Sequence, residues 1–409
     1  MRIKHLVIEN FRAIELLELH CADGMNVFIG DNGTGKSTVL EAVTILYSWL
    51  SALMKSTKGK GRLVAEQDIK RGATYCYLEI EIEHRGYRVK WSLMKGEESL
   101  DKYTRLSDLR GFAEHLRLST YENKSLMTLY GINRNITTIS VDKNLYDTKE
   151  NKSKKDKSTA VTFSWRSFFN WFYERENEEN RMKARFNPKY HDETLDAIRH
   201  CMEEVFPGYT NLRVEDKPKT HFVVDKQGVA LDFSMLSDGE KSYITLILDI
   251  ARRLAEPSDD PMSINGEHII LIDEVDLHLH PSWQLFVISN LRRMFKGCQF
   301  FITSHSPLVL SSLEQSGKLV VLKNGRQFNV SDIPYGDNGD YILKRFFGLN
   351  EVRNPEVQQE IDAIASELGK QKPDLKQVEQ ALNKLSQQGV NFDEAAKMRL
   401  VLAQKKKAQ

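Results

Sequence analysis

Apolar and polar positions fall into blocks whose period changes along the chain. Ile3, Leu6 and Ile8 open a strand-like alternation over residues 1–8. Asn26-Val27-Phe28-Ile29 is a short, mostly apolar run of the kind that fills a buried parallel strand. Helical spacing follows, with Val39, Leu40, Val43, Leu46 and Leu50 on one expected packing face. After a polar break at residues 55–61 the period returns to two. Cys76, Leu78, Ile80 and Ile82 alternate with Tyr75, Tyr77, Glu79 and Glu81. His84-Arg85-Gly86 is then a turn, and Tyr87-Arg88-Val89-Lys90-Trp91 the returning strand. Residues 126–134 begin as a strand and end in Gly131-Ile132-Asn133-Arg134. Trp165, Phe168, Phe169 and Phe172 share one helical face, a stripe that reads as core rather than as a base-stacking platform. Leu195, Ile198, Met202 and Val205 mark another helix, stopped by Pro207-Gly208. Phe222-Val223-Val224 and Val229-Ala230-Leu231 flank Asp225-Lys226-Gln227-Gly228 as a hairpin-like pair. An apolar helix is expected over residues 243–254, and two buried strands in Ile269-Ile270-Leu271-Ile272 and Gln299-Phe300-Phe301-Ile302-Thr303. Texture changes at Ile333-Pro334-Tyr335-Gly336. Three amphipathic helices then follow, on Val357, Ile361, Ile364 and Leu368, on Leu375, Val378, Leu382 and Leu385, and on Phe392, Met398 and Val401. Lys405-Lys406-Lys407 reads as a solvated tail.

Composition narrows this picture. With 409 residues and 41% hydrophobic content, the chain can bury a large core in two or three domains. A formal net charge of +1 rules out a global basic field, so any nucleic-acid surface must be a local patch. Residues 149–158 form a lysine-rich run without apolar positions, read as a mobile surface loop in preference to a DNA-contact loop. Cys21, Cys76, Cys201 and Cys298 are scattered and form neither a zinc pattern nor a disulfide framework, which fits a reducing cytoplasm. The N-terminus lacks a signal-peptide core, and no apolar run is expected to reach the roughly 20 residues of a membrane helix. No long heptad array or internal repeat occurs, so no extended coiled coil is expected.

Four stretches carry candidate chemistry. Gly30-Asp31-Asn32-Gly33-Thr34-Gly35-Lys36-Ser37 matches the phosphate-cradling P-loop pattern in full, in strand–loop–helix context. Its glycines permit a tight curl of N–H groups, Lys36 can reach β- and γ-phosphates, and the Ser37 hydroxyl can ligate Mg²⁺. The following helix turns its positive end to the phosphates, so residues 30–38, ending at Thr38, make an ATP site. The second stretch puts Asp273 and Glu274 at the C-terminal end of an apolar strand, where ligands bind in open α/β sheets. Asp273 would hold Mg²⁺ opposite Ser37, and Glu274 would orient the attacking water. In the third, Leu236-Ser237-Asp238-Gly239-Glu240-Lys241-Ser242, Ser237 and Gly239 stand where a helix begins. That is either an anion site or a capping box between Ser237 and Glu240. The fourth is Ser304-His305-Ser306-Pro307, where His305 could hydrogen-bond a γ-phosphate or the attacking water. Arg12, a short loop from the P-loop strand, either reaches a phosphate or is a solvated arginine. Asp276, His278 and His280 invite a metal reading but lack a further ligand at suitable spacing; a polar loop at a subunit contact is the other reading.

The order of P-loop, Leu-Ser-Asp-Gly-Glu, apolar strand with Asp-Glu, and Ser-His-Ser resembles the ABC-type ATPase family, and within it the RecF, Rad50, SMC and OLD-like head domains. Ile8-Glu9-Asn10-Phe11-Arg12 resembles their first strand. The resemblance implies that Lys36 and Ser37 belong to Walker A, Asp273 and Glu274 to Walker B and residues 237–240 to the signature. It makes Asp276 the D-loop residue and His305 the switch histidine. Asp249-Ile250-Ala251-Arg252-Arg253-Leu254-Ala255, His278-Leu279-His280-Pro281-Ser282-Trp283-Gln284 and Asn290-Leu291-Arg292-Arg293 are similar to one prokaryotic branch. That branch includes the ATPase subunits of Septu anti-phage systems and related retron systems. The implied fold is α/β: a P-loop NTPase with an ABC-type head over residues 1–53 and 210–330. An inserted hairpin and helical arm or lid would fill 54–209, and a helical, partner-docking region 331–409. The implied activity is ATP hydrolysis with Mg²⁺, in two heads that close around ATP as a homodimer or higher homo-oligomer. The implied partner is a separate effector nuclease of HNH type, with DNA as a further partner and no membrane. A DNA repair or recombination ATPase is the alternative. Two departures stand out: the Q-loop glutamine is either Gln67 or near Asn133-Arg134, and no acidic nuclease cluster follows Pro307.

Overall fold

The computed structural model describes residues 1–96, 104–118, 127–132, 161–162, 165–217, 219–256, 261–264, 266–328, 330, 332–349, 353–370, 372–390 and 393–408. In chain order, the strands are β1 (Arg2–Phe11), β2 (Ile14–His20), β3 (Met25–Gly30), β4 (Cys76–His84), β5 (Tyr87–Lys95), β6 (Met127–Tyr130), β7 (Val161–Thr162), β8 (Tyr209–Glu215), β9 (His221–Lys226), β10 (Val229–Asp232), β11 (His268–Ile272), β12 (Cys298–Thr303), β13 (Lys318–Lys323) and β14 (Arg326–Phe328). The helices of the first unit are α1 (Lys36–Lys55), α2 (Ser107–Leu118), α3 (Trp165–Arg185), α4 (Glu193–Val205), α5 (Asp238–Ala255), α6 (Pro281–Gln284), α7 (Val287–Met294) and α8 (Pro307–Ser311). Then come α9 (Gly339–Phe346), α10 (Pro355–Gly369), α11 (Leu375–Gln387) and α12 (Asp393–Ala408). The chain forms two compact units, Met1–Gly339 and Asp340–Gln409.

Among the described residues the first unit holds one eleven-stranded sheet, ordered β5-β4-β1-β2-β14-β13-β3-β12-β11-β6-β7. From β13 to β7 the strands run parallel, and β3, β11 and β12 are buried along their full length. Such strands have helices on both faces, hence their unbroken apolar runs. The other end, β5-β4-β1-β2, is antiparallel. Residues 54–209, expected as an insert, supply β4 to β7 to this same sheet. The hairpin turn is Arg85-Gly86; His84, expected in the turn, is instead the last residue of β4 and pairs with Tyr87. In β1, Ile3 and Leu6 are three residues apart yet both face the core. A register shift between Ile3 and His5 reconciles this spacing with a sheet period of two.

Helix α1 departs from expectation. Its predicted stripe is buried, but so are Ala42, Ile45, Tyr47 and Trp49. Trp91 Nε1 donates to the Leu46 carbonyl (3.1 Å), and Trp49 Nε1 to that of Arg62 (2.9 Å). A Cβ on Gly61 would lie 2.5 Å from the Trp49 ring, so residues 57–64 are laid directly against the helix. By length and composition alone α1 could cross a membrane, which corrects the expectation that no run reaches that length. It is instead a core helix, with 72% of its apolar window buried.

A second sheet, β10-β9-β8, carries the apolar face of α3, where Phe169 meets Phe222 edge-on at 4.5 Å between centroids. The Trp165 side chain lies outside the described residues, as do Asn133, Arg134, Phe392 and residues 149–158. Arg199 on α4 pins this region. It reaches Glu176 (2.8 Å) and Glu179 (3.2 Å) on α3 and the Leu212 carbonyl (3.3 Å) on β8. Burial raises the Glu176 carboxyl above its usual range, against the pull of the Val214 N–H and Arg199.

In the second unit Ile361, Ile364, Leu368, Leu375, Val378, Leu382 and Leu385 form one core, as their spacing implied. Two expectations fail there. Leu402 is buried in that core while Val401 is 37% exposed. Lys405 is no solvated tail: its Nζ donates to the Leu368 carbonyl (2.7 Å), and Lys406 pairs with Glu379 (2.6 Å). The α10 C-terminus offers unpaired carbonyls that attract cations.

Removing Arg199 takes one cation from two buried carboxylates, leaving Lys183 on Glu179 and the Val214 N–H on Glu176, so Arg199→Ala should lower the unfolding free energy of the first unit by roughly 3 kcal/mol. Urea denaturation followed by tryptophan fluorescence checks this.

Candidate functional site

Three adjacent parallel strands end side by side, and the loops beyond them build the site. The loop after β3 needs its glycines for separate reasons. Gly30 has φ +150, and a Cβ there would lie 2.3 Å from the Leu322 carbonyl oxygen. Gly33 has φ +77 in open space, while Gly35, at φ +108, sits against Ile14 of the β1–β2 turn. The Thr34 hydroxyl donates to the Asp31 carbonyl (2.8 Å). The side chain of Lys36 is folded back under the loop, 6% exposed, with Nζ 2.9 Å from both the Gly30 and Asp31 carbonyl oxygens. Burial lowers the Lys36 pKa; the carboxylates of Glu274, Asp273, Asp31 and Asp276 oppose it. Asp31, Asn32, Gly33 and Ser37 are exposed at the rim, and Thr38 is half-buried.

The Ser37 hydroxyl donates to Asp273 Oδ1 at 2.9 Å, across 236 positions of sequence. Asp273 is buried, and Thr303 Oγ1 donates to the same oxygen (2.6 Å). The Asp273 N–H is held by the Tyr130 carbonyl (2.8 Å) and the Glu274 N–H by Thr303 Oγ1 (2.7 Å). Glu274 has φ +47, a conformation that costs energy for a non-glycine residue and persists only when its surroundings impose it. Asp276 accepts from the His305 N–H (3.3 Å), which ties the two loops together. A hydroxyl–carboxylate pair beside a buried ammonium and a curl of N–H groups is a donor set suited to a phosphate chain with a hard divalent cation such as Mg²⁺.

Ser237 caps α5. Its hydroxyl accepts from the Glu240 N–H (3.3 Å), and its own N–H donates to Glu240 Oε2 (2.7 Å), so the capping-box reading holds. Glu240 also takes Lys226 (2.5 Å) and the Tyr209 hydroxyl. Gly239 has no room for a side chain: a Cβ would lie 2.1 Å from the His278 carbonyl oxygen. This start of α5 therefore packs on the loop that follows Asp273 and Glu274. Among the described residues, no hydrogen bond joins Ser237 or Gly239 to residues 30–38. His280 Nδ1 accepts from the Ser282 N–H (3.3 Å) and caps α6, so Asp276, His278 and His280 do not gather as a metal cluster among the described residues. Arg12 lies at the β1–β2 turn with φ +50, its Nε 2.7 Å from Asp68 and Glu41 at 3.8 Å. Gln67 is exposed beside Asp68 on a one-turn helix, Glu66–Asp68.

Sequence reasoning missed Thr303 and Tyr130. Both stand beside Ile272 and Asp273 only through strand register: Ile272 pairs with Ile302 on one side and with Tyr130 on the other. The Tyr130 hydroxyl also donates to buried Asp249 on α5 (2.8 Å), which Arg252 (2.9 Å) and Arg253 (2.7 Å) neutralise.

The Glu240 bonds carry a pH signature. Burial raises its carboxyl, but Lys226, Tyr209 and Ser237 outweigh this and bring it down to about 2. A depressed carboxyl stabilises the fold above its unfolded value near 4.5, and the contribution fades as pH falls towards 2. Wild type should therefore exceed Glu240→Gln in unfolding free energy by about 2 kcal/mol at pH 6, allowing for solvent screening, and the gap should close on acidification. Urea midpoints between pH 6 and 2.5 measure it.

Residues 2–327 match the family described as RecF/RecN/SMC N terminal domain. The retron Ec83 probable ATPase of Escherichia coli is 26% identical over 424 residues, spanning 87% of this chain and 78% of that protein. The retron Vc95 probable ATPase of Vibrio cholerae serotype O1 biovar El Tor is 25% identical, with shares of 84% and 78%. Septu protein PtuA of Bacillus thuringiensis is 24% identical, with 86% of each chain covered. The expected kinship and fold are borne out: this is a P-loop NTPase with an ABC-type head. Matched over the whole sheet from β1 to β14, the chain belongs to the RecF/RecN/SMC N terminal domain family.

Proposed function

We propose that this chain is an ATP-binding and hydrolysing head whose two copies close around ATP, acting as the regulatory ATPase of a prokaryotic anti-phage complex. The observation that carries the reading is the Ser37–Asp273 pair at 2.9 Å, beside a Lys36 held under its loop. Residues 30–38 would cradle the phosphates, and Ser37 and Asp273 would hold Mg²⁺. An ion held there would supply positive charge against the negative charge that develops on the phosphates. The Glu274 carboxylate would orient the attacking water, and His305, whose N–H donates to Asp276, would hydrogen-bond a γ-phosphate or that water. Ser237 and Gly239, which among the described residues make no hydrogen bond to residues 30–38 of their own chain, would complete the site of a second copy. Arg12 would add a phosphate contact on leaving Asp68. The similarity to the retron probable ATPases and to Septu protein PtuA supports the defence assignment. Output would pass to a separate effector nuclease of HNH type, with DNA as a further ligand and residues 331–409 as the docking region. Finding an adjacent gene for a small HNH nuclease or a reverse transcriptase would favour this over a DNA repair role.

Light scattering with and without Mg-ATP tests the closure. ATP should create or tighten a dimer that Ser237→Arg abolishes and Glu274→Gln prolongs; a mass indifferent to ATP and to both variants counts against it. Lys36→Ala removes a charge-assisted contact and should weaken nucleotide binding roughly 10- to 100-fold by fluorescent-nucleotide titration. Glu274→Gln should lower steady-state phosphate release by at least about 100-fold, and turnover equal to wild type would remove Glu274 from catalysis.

A further inference from the structure

On the solvent side of the β1–β2 hairpin, His5 and His20 are direct cross-strand partners. Their rings stack with centroids 4.6 Å apart. Glu18 stands two residues before His20 on the same face, and His5 Nε2 lies 3.2 Å from Glu18 Oε1. One ligand atom from each of the three lies within 4.8 Å of the others. Ligand atoms around a tetrahedral ion at bond lengths of 2.0–2.1 Å are separated by roughly 3.3 Å, so one pair is already at coordination spacing and the others need only a side-chain rotation.

We propose that His5, Glu18 and His20 form a binding site for a Zn²⁺-class transition-metal ion. Two imidazoles and one carboxylate are borderline donors that suit Zn²⁺, Co²⁺ or Ni²⁺ and disfavour Mg²⁺ and Ca²⁺, which take oxygen ligands. The site is thus chemically separate from the Ser37–Asp273 pair. Three protein ligands leave the fourth position to water, or to a further group at the groove where Glu18 and His20 meet Lys318 and Gln327. The backbone fixes the ligands in advance, because His5 and His20 are locked in register by the β1–β2 ladder and Glu81 on β4 flanks His5 from the other side. The other triad of this kind among the described residues, Glu179, His191 and Asp196, has no such vacancy for a cation: Arg199 and Lys183 already pair with its carboxylates. Cys21, next along the chain, is not one of the three: its thiol donates to the Leu19 carbonyl (3.9 Å). A bound ion would cross-link the open end of a hairpin whose turn carries Ile14 against Gly35.

The test uses the untagged full chain and Zn²⁺ alone, without nucleotide, read by isothermal titration calorimetry and thermal melting. One equivalent of Zn²⁺ should bind and raise the melting temperature by several degrees. His20→Ala and Glu18→Gln, both surface changes, should each weaken binding by at least about tenfold and abolish the melting shift. Cys21→Ser should leave both unchanged, and excess Mg²⁺ should not compete. Binding that survives His20→Ala and Glu18→Gln, or that is lost in Cys21→Ser, overturns the assignment, as does the absence of a binding isotherm for the wild type.

Discussion

A buried ammonium must be answered by oxygen, and Lys36 sets that condition for the whole head. Its Nζ takes two carbonyls of its own loop, which ties the start of the loop over the side chain, and Gly30, Gly33 and Gly35 supply the positive φ angles of the curl. Its charge needs carboxylates nearby, and those stand on a strand more than two hundred residues away. The parallel part of the sheet is what brings them there. β12 lies between β3 and β11, so the loop ends of all three share one rim, and Thr303 links Asp273 to Glu274 from the middle strand.

Much of this rim was legible because it is written locally. The residues from Gly30 to Ser37 carry a conformation and a charge in one stretch, and Asp273 follows an apolar run that could only be a buried strand. Ser237 and Glu240 announce a helix start by their three-residue spacing. Thr303 and Tyr130 were illegible because a hydroxyl at a strand end acquires its role from register with a distant neighbour. The same holds for the extra burial of α1, imposed by a loop that has no periodicity of its own, and for Leu402, which differs from Val401 by one helical position but faces its neighbours' leucines. The bulge in β1 was present in the sequence as an apolar spacing of three, readable only once the sheet was known.

Asp249 shows how the parts are coupled. It lies on the helix that begins at Ser237, is neutralised by the two arginines of its own helix, and receives the hydroxyl of Tyr130, whose carbonyl supports Asp273. A rigid path of two residues therefore connects the body of α5 to the strand end that presents the carboxylates. Displacing either end without the other would break a buried charged hydrogen bond, which favours movement of the two as one body.

The contact between Gly239 and the His278 carbonyl limits what genetics can say about this region. At 2.1 Å from a backbone oxygen, every side chain is refused at that position, alanine included, whether or not any nucleotide or second copy is present. A defective allele at Gly239 would therefore be silent about what its backbone touches in a complex, whereas exposed Ser237, two positions earlier, has room for another side chain, and within its own chain only the cap on the Glu240 N–H is lost with it.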